Sequence, residues 1–152
     1  MPNFHPITEN LLVGACPRDR ADIEQLKSVQ VEHVICLQSD RDFLAIGIDW
    51  KQMVADYAQH NIQLTRIAMT DFDEENIASL LSNAASIVSE ATQSSNKVYL
   101  HCSAGRERAP TVAAAWLMRE QKLSAEEACA KVTTARPSNP YLFMLKSLEQ
   151  TL

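Results

Sequence analysis

The chain has 152 residues, enough for one domain with a buried core, and 46% of them are hydrophobic against 22% charged. Its net charge of −5, from 14 Lys and Arg against 19 Asp and Glu, argues against a general nucleic-acid or anionic-membrane binder while leaving room for a local basic pocket. No apolar run is long enough for a membrane span, the start MPNFHPITEN carries no signal-peptide pattern, and the four cysteines (Cys16, Cys36, Cys102, Cys129) form no CxxC pair. The expectation is therefore a cytoplasmic monomer in a reducing compartment, without structural zinc, disulfide framework or cofactor.

In chain order, LLVGA (11–15) reads as a short strand closed by Cys16-Pro17. Asp19 can cap a short helix running to about Ser28, with Ile23 and Leu26 inward. VEHVICL (31–37) is rich in β-branched residues and reads as a buried strand, followed by QSDRD as a loop. Residues 49–60 carry Met53, Val54 and Tyr57 at helical spacing, and IQLTRIAM (62–69) alternates as a strand with one solvated face does. The acidic run TDFDEE breaks that strand. A long helix over 75–92 presents Ile77, Leu80, Leu81, Ala84, Ile87 and Val88 on one face, and KVYLH is a short buried strand. Residues 108–121 are apolar enough for a central helix. Ser124 opens a further helix with a capping box, Pro137 and Pro140 punctuate, and residues 141–152 close the chain as a helix. Strands alternating with helices predict an α/β fold over residues 1–152 as a single domain, its mostly parallel central sheet flanked by helices on both faces. In such sheets ligands sit at the carboxyl ends of the strands, where both VICL and YLHC should finish.

The stretch YLHCSAGRERAPT (99–111) joins strand to helix through a loop built for an anion. Loop amides and a helix N-terminus concentrate partial positive charge at one point. Ser103, Ala104 and Gly105 let the backbone wrap closely, Arg106 and Glu107 complete the loop, and Pro110 falls in the first helical turn, where its missing N–H costs little. Cys102 stands at the mouth of the cradle, where helix ends and arginines stabilise a thiolate. Arg108 can fold back and grip an oxyanion with its planar fork of donors. A thiolate beneath a bound tetrahedral oxyanion points to nucleophilic attack on phosphorus through a cysteinyl-phosphate.

The pattern H-C-x-x-G-x-x-R resembles the signature of cysteine-dependent dual-specificity phosphatases, within the protein tyrosine phosphatase superfamily. The resemblance covers most of the chain: LLVGA looks like the family's first strand, VEHVICL its next core strand, and ARPSNPYLFMLKSLE its closing Arg-Pro and helix segment. It implies a protein-tyrosine-phosphatase-like fold with the phosphate-binding loop between strand and helix. It also implies a metal-independent phosphomonoesterase with Cys102 as nucleophile and Arg108 as oxyanion clamp. The family takes its general acid from an upstream loop, for which TDFDEE offers Asp71 and Asp73. Asp71 directly follows the strand and matches the family spacing better.

One departure matters. The family places Ser or Thr after the arginine, and this chain has Ala109, with Thr111 farther along the helix. Slower turnover is expected, and a phosphate-holding pseudophosphatase is the non-enzyme alternative. Within the enzyme class, C-x-A-G-x-x-R-A-P, LLVGAC, CLQSDRD and TDFDEE are similar to plant-type glucan phosphatases. Phe72 matches their aromatic after the acid, as a substrate contact, but Ala45-Ile46 and Asn139 stand where further aromatics would be expected. Arg106 within the loop is similar to lipid-phosphate phosphatases. Expected partners are accordingly a phosphorylated protein first, a phosphoglucan or phospholipid second, and no nucleic acid. A rhodanese-like sulfur transferase ranks last, because it gives Asp71 no role. Cys36, at the end of its strand, is a possible redox partner of Cys102 if their Cα atoms lie within about 7 Å.

Overall fold

The computed structural model describes residues 2–151. A five-stranded sheet runs in the order β1-β2-β5-β3-β4, from β1 (Phe4–Thr8), β2 (Leu11–Gly14), β3 (His33–Cys36), β4 (Gln63–Arg66) and β5 (Val98–His101). Only β1 is antiparallel to its neighbour. The other pairings are parallel, with Gly14 opposite His101 and Cys36 opposite His101 in register. Both neighbours of β5 therefore end level with it, and their loops open at one edge.

Helices cover both faces: α1 (Arg20–Ser28), α2 (Asp40–Ile46), α3 (Trp50–Gln59), α4 (Glu74–Ser94), α5 (Arg108–Gln121), α6 (Ala125–Ala135) and α7 (Leu142–Glu149). The period-two alternation of the strands decides which face each side chain serves. Leu11, Val13, Ile35, Val98 and Leu100 pack with α4–α7, while Leu12, Val34 and Tyr99 pack with Ile23 and Leu26 of α1 and Met53 and Tyr57 of α3. Helix α5 is buried from Arg108 to Met118, as its composition requires.

Three expectations need correction. QSDRD is not a loop: Ser39 and Asp42 form a capping box that opens α2, which ends at Gly47 in a left-handed conformation. The segment before LLVGA adds an edge strand, β1, which tolerates Pro6 because an edge needs fewer ladder donors. Val54 points outward, 42% exposed, whereas Met53 and Tyr57 are buried as the helical period predicts.

Candidate active site

The loop between β5 and α5 is shaped from outside. Every carbonyl from Cys102 to Glu107 accepts a hydrogen bond from a residue outside that stretch, and the donors are drawn from several parts of the fold. His101 Nδ1 donates to the Cys102 carbonyl at 2.9 Å and the Cys16 amide to that of Ser103 at 2.9 Å. Arg136 donates to Ala104 at 3.1 Å through Nη2 and to Gly105 at 2.7 Å through Nε. The Asn139 amide donates to Arg106 at 2.7 Å, and the Thr111 hydroxyl to Glu107 at 2.7 Å.

With the carbonyls turned out, the amides are free to face in. Among the described residues, none of the N–H groups from Ser103 to Glu107 donates to a protein atom. Glu107 precedes α5 without capping it, so the helix N-terminus also keeps its donors. Gly105 adopts φ +69°, and a Cβ there would overlap the Gly14 backbone. The close approach of the loop to β2 thus requires glycine at this point.

Cys102 is buried at the base of this loop, and Arg108, also buried, stands at its far end. Asp42, which no sequence pattern assigned a role, fixes that guanidinium. Its two carboxylate oxygens accept from Nη1 at 2.8 Å and Nη2 at 3.2 Å, and Nη1 also donates to the Met69 carbonyl at 2.9 Å. Burial pushes the Asp42 carboxyl up, but hydrogen bonds from Arg108 and Ser39 outweigh it and hold the group below the usual range. Burial likewise disfavours the Arg108 cation. The Asp42 contact and the nearby Cys102 more than offset that, raising its pKa. The α2 segment that carries Asp42 is itself tied down. Arg66 donates to the Gln38 carbonyl at 3.0 Å and to Asp40 at 2.9 Å, and lies 4.7 Å over the Phe43 ring, which stacks on Trp50.

Asp71 reaches the same arginine from the other side, its Oδ1 3.7 Å from Arg108 Nε, with a side chain 35% accessible. Asp73 is occupied differently: its carboxylate caps α4 by accepting from the Asn76 amide at 3.0 Å. Phe72 adopts φ +64° and is 79% exposed. It shares a groove with Asp71 and Arg41, and no residue of the loop lines that groove.

The predicted residues Cys102, Arg108 and Asp71 are therefore brought together, with Ser103 to Glu107 forming the cradle. Sequence reasoning missed Asp42, Arg136 and Gln38. The Ser39–Asp42 capping box was a visible signal for the first. Gln38 is buried and bridges Ser103 Oγ, to which its amide donates at 3.2 Å, and the Cys36 thiol, from which it accepts at 3.6 Å. All four cysteines are free thiols, and burial pushes Cys36 up to about 12. The Thr111 hydroxyl, engaged with Glu107 and with the Tyr141 amide at 2.8 Å, does not stand in for a hydroxyl at Ala109. Among the described residues, no cluster of three or more His, Cys, Asp or Glu side chains is arranged to hold a metal ion, and no helix is long and apolar enough to cross a membrane.

Residues 14–151 match the family described as dual specificity phosphatase, catalytic domain. An amyloplastic phosphoglucan phosphatase, DSP4, of Castanea sativa is 31% identical over 148 residues, covering 95% of this chain and 39% of that protein. The dual specificity protein phosphatase PHS1 of Arabidopsis thaliana is 28% identical over 148 residues, covering 95% of this chain and 15% of its own. The chain thus spans well under half the length of these curated relatives. Among solved structures, the active form of Tk-PTP superposes with a TM-score of 0.78 at 22% identity, covering 98% of this chain and 97% of that one.

Proposed function

The chain belongs to the dual specificity phosphatase catalytic domain family, and on that footing we propose that it hydrolyses phosphomonoesters of proteins through a cysteinyl-phosphate. The observation that carries this reading is the loop after Cys102, whose carbonyls are all taken by donors from outside it while, among the described residues, the amides from Ser103 to Glu107 donate to no protein atom.

In the proposed reaction the three non-bridging phosphate oxygens take those amides and the Nε edge of Arg108, whose other edge is held by Asp42. The Cys102 sulfur attacks phosphorus in line, forming the S–P bond as the P–O bond to the leaving group breaks. Asp71 gives that oxygen its proton. A water molecule then attacks the cysteinyl-phosphate, Asp71 takes the water's proton, and the sulfur leaves with its electron pair. Asp73 is unsuited to the acid's role because it is committed to capping α4. Ala109 offers no hydroxyl to assist the second step, so slow hydrolysis of the intermediate is expected.

Phosphoprotein is the favoured substrate because half-buried Asp71 and exposed Phe72 leave the mouth open to a phosphorylated side chain on a bulky chain. A phosphoglucan is the second reading. It is favoured by the similarity to the Castanea protein and by the outward Phe72 ring, which presents a free face to a sugar. Phosphate release from a phosphotyrosyl peptide and from phosphorylated amylopectin, by wild type and Cys102→Ser under reducing conditions, separates the readings. Preference for the peptide supports the first and preference for amylopectin the second. Full activity of Cys102→Ser on both overturns the mechanism.

The register that sets Cys36 opposite His101, one residue before Cys102, supports Cys36 as a thiol that traps oxidised Cys102 in a disulfide. Its free cysteines suit a reducing, cytoplasmic setting.

A further inference from the structure

Helix α2 has only seven residues, too few to hold a helical shape alone in water, yet it carries the Asp42 carboxylate that fixes Arg108. Its capping box ties the first turn to itself and says nothing of where the helix points. That direction has to come from contacts with the rest of the fold.

One side chain reaches α2 at three places. Arg66 is the last residue of the edge strand β4 and stands opposite Cys36 in register, at the end of the sheet where the phosphate loop opens. Its Nε donates at 3.0 Å to the carbonyl of Gln38, just before the Ser39 cap, and its Nη2 donates at 2.9 Å to Asp40 in the first turn. Its guanidinium also lies 4.7 Å from the centre of the ring of Phe43, the residue after Asp42. The same guanidinium is 5.5 Å from the Trp50 ring, on which Phe43 stacks at 4.6 Å with 13° between the planes. Trp50 opens α3, so α2 is tied to that helix as well as to the sheet.

The three contacts differ in weight. The Asp40 side chain is 87% accessible, so water screens its pair with Arg66 and the contribution to aim is small. Gln38 and Phe43 are buried, and there the hydrogen bond and the cation–ring contact are stronger. The ring contact decides the rotation of α2 about its own axis. Adjacent helix positions are separated by about 100°, so fixing the direction of Phe43 fixes that of Asp42. Only a planar group that stacks and donates at once can make both contacts from one position.

We propose that Arg66 is a positioning residue for phosphate binding: it sets the direction of Asp42 through α2, and Asp42 sets that of Arg108, while Arg66 itself touches no phosphate. The proposal rests on the phosphomonoesterase reading, in which Arg108 holds the phosphate, and extends that site to the edge of the sheet.

Calorimetric titration of inorganic phosphate into Cys102→Ser tests it, with further substitutions added to that protein. Arg66→Lys keeps the charge and loses the planar fork, and should weaken phosphate binding about tenfold. Asp40→Asn should weaken it by under about twofold, as expected of an exposed pair. Once Asp42→Asn is present, adding Arg66→Lys should cost under about twofold more, because the brace then has no carboxylate to aim. Urea unfolding gives the readout for a merely structural role: the stability lost to Arg66→Lys should be the same with and without Asp42→Asn. Phosphate binding left intact by Arg66→Lys overturns the proposal, and so does a tenfold loss that persists undiminished beside Asp42→Asn. A wild-type chain that turns over no p-nitrophenyl phosphate defeats the phosphomonoesterase reading itself. The titrations need no turnover, so the brace and that reading fail separately.

Discussion

The phosphate loop and the acidic segment face one another across Arg108, yet they are held by different means. The loop is fastened by long-range bonds: to Cys16 at the end of the β2 segment, to Arg136 after α6, and to Asn139 beyond it. The second layer is equally tied. The Tyr99 hydroxyl donates to the Ala15 carbonyl at 2.6 Å, next to the Cys16 amide that holds Ser103. Besides its approach to Arg108, the acidic segment's hydrogen bonds among the described residues are local, among them the Thr70 amide to Asn76 Oδ1 at 2.8 Å, the Asp73 amide to Thr70 at 3.1 Å and the Asn76 amide to Asp73 Oδ1 at 3.0 Å. An oxyanion hole works only when its dipoles are aimed before the charge develops, so it benefits from a rigid frame. A proton donor must accommodate leaving groups of different shape, and a locally tethered segment permits that.

Removing a brace should break this contrast most strongly. Arg136→Met deletes the donors to Ala104 and Gly105 and leaves those carbonyls free to turn inward. The expected loss in kcat/KM for p-nitrophenyl phosphate is about 10²- to 10³-fold, although Arg136 touches no reacting atom. Thermal or urea unfolding should also register a loss of about 2–4 kcal/mol, since a buried, multiply bonded group is removed. An active, fully stable variant would mean the loop holds its shape unaided.

The acidic segment should respond to chemistry alone. Asp71→Asn is expected to lower kcat about 10²-fold with phenyl phosphate, and less with p-nitrophenyl phosphate, whose leaving group needs less protonation. Its melting temperature should stay at the wild-type value. Asp73→Ala should do the reverse, costing about 1 kcal/mol of stability through the lost α4 cap and leaving kcat unchanged. Steady-state kinetics and melts on the two variants separate the roles.

Acid should loosen the loop side. His101 is fully buried, donates through Nδ1 to the Cys102 carbonyl, and leaves Nε2 without a partner among the described residues. Burial, chiefly, lowers its pKa from 6.5 to about 4, so the unfolded chain takes up a proton at a higher pH than the folded chain does. Stability is therefore retained above the unfolded value and declines as pH falls from there toward the folded value, by roughly 3 kcal/mol over the full window. Urea unfolding between neutral pH and about pH 5 should show this slope, and His101→Gln should flatten it.

The smallest effect concerns Cys36. With its thiol pushed up to about 12 by burial, it can resolve an oxidised Cys102 only slowly. After brief peroxide treatment and reduction, Cys36→Ser should recover about twofold less activity than wild type. Equal recovery would leave Cys36 as a packing residue.

How much of this was legible in the sequence follows from the distance over which each feature is encoded. The loop from Cys102 to Arg108 is contiguous and bounded by a buried strand and an apolar helix, so its place between them could be read locally. The two strand neighbours of β5 were legible because burial on both faces demands continuous β-branched and aliphatic runs. Helix α2 was missed because seven residues, three of them charged at its start, give too short a period to stand out, and its capping box was overlooked. Strand β1 was missed because Pro6 argues against a strand until its edge position is known. The contacts of Asp42 and Arg136 span 66 residues to Arg108 and 31 residues to Gly105, and no local pattern encodes such pairings. Spacing alone favours Asp71 over Asp73; that one carboxylate approaches Arg108 while the other caps a helix is visible only in the fold.

The central claim, that the amide cradle presents phosphorus to Cys102, is tested most directly by rapid acid quench of wild type with p-nitrophenyl phosphate, followed by peptide mass analysis. The expected result is one phosphoryl group on the peptide containing Cys102, with none on peptides containing Cys16, Cys36 or Cys129 and none in Cys102→Ser. Continued turnover with no phosphorylated Cys102, or with the phosphoryl group on another residue, would contradict the account.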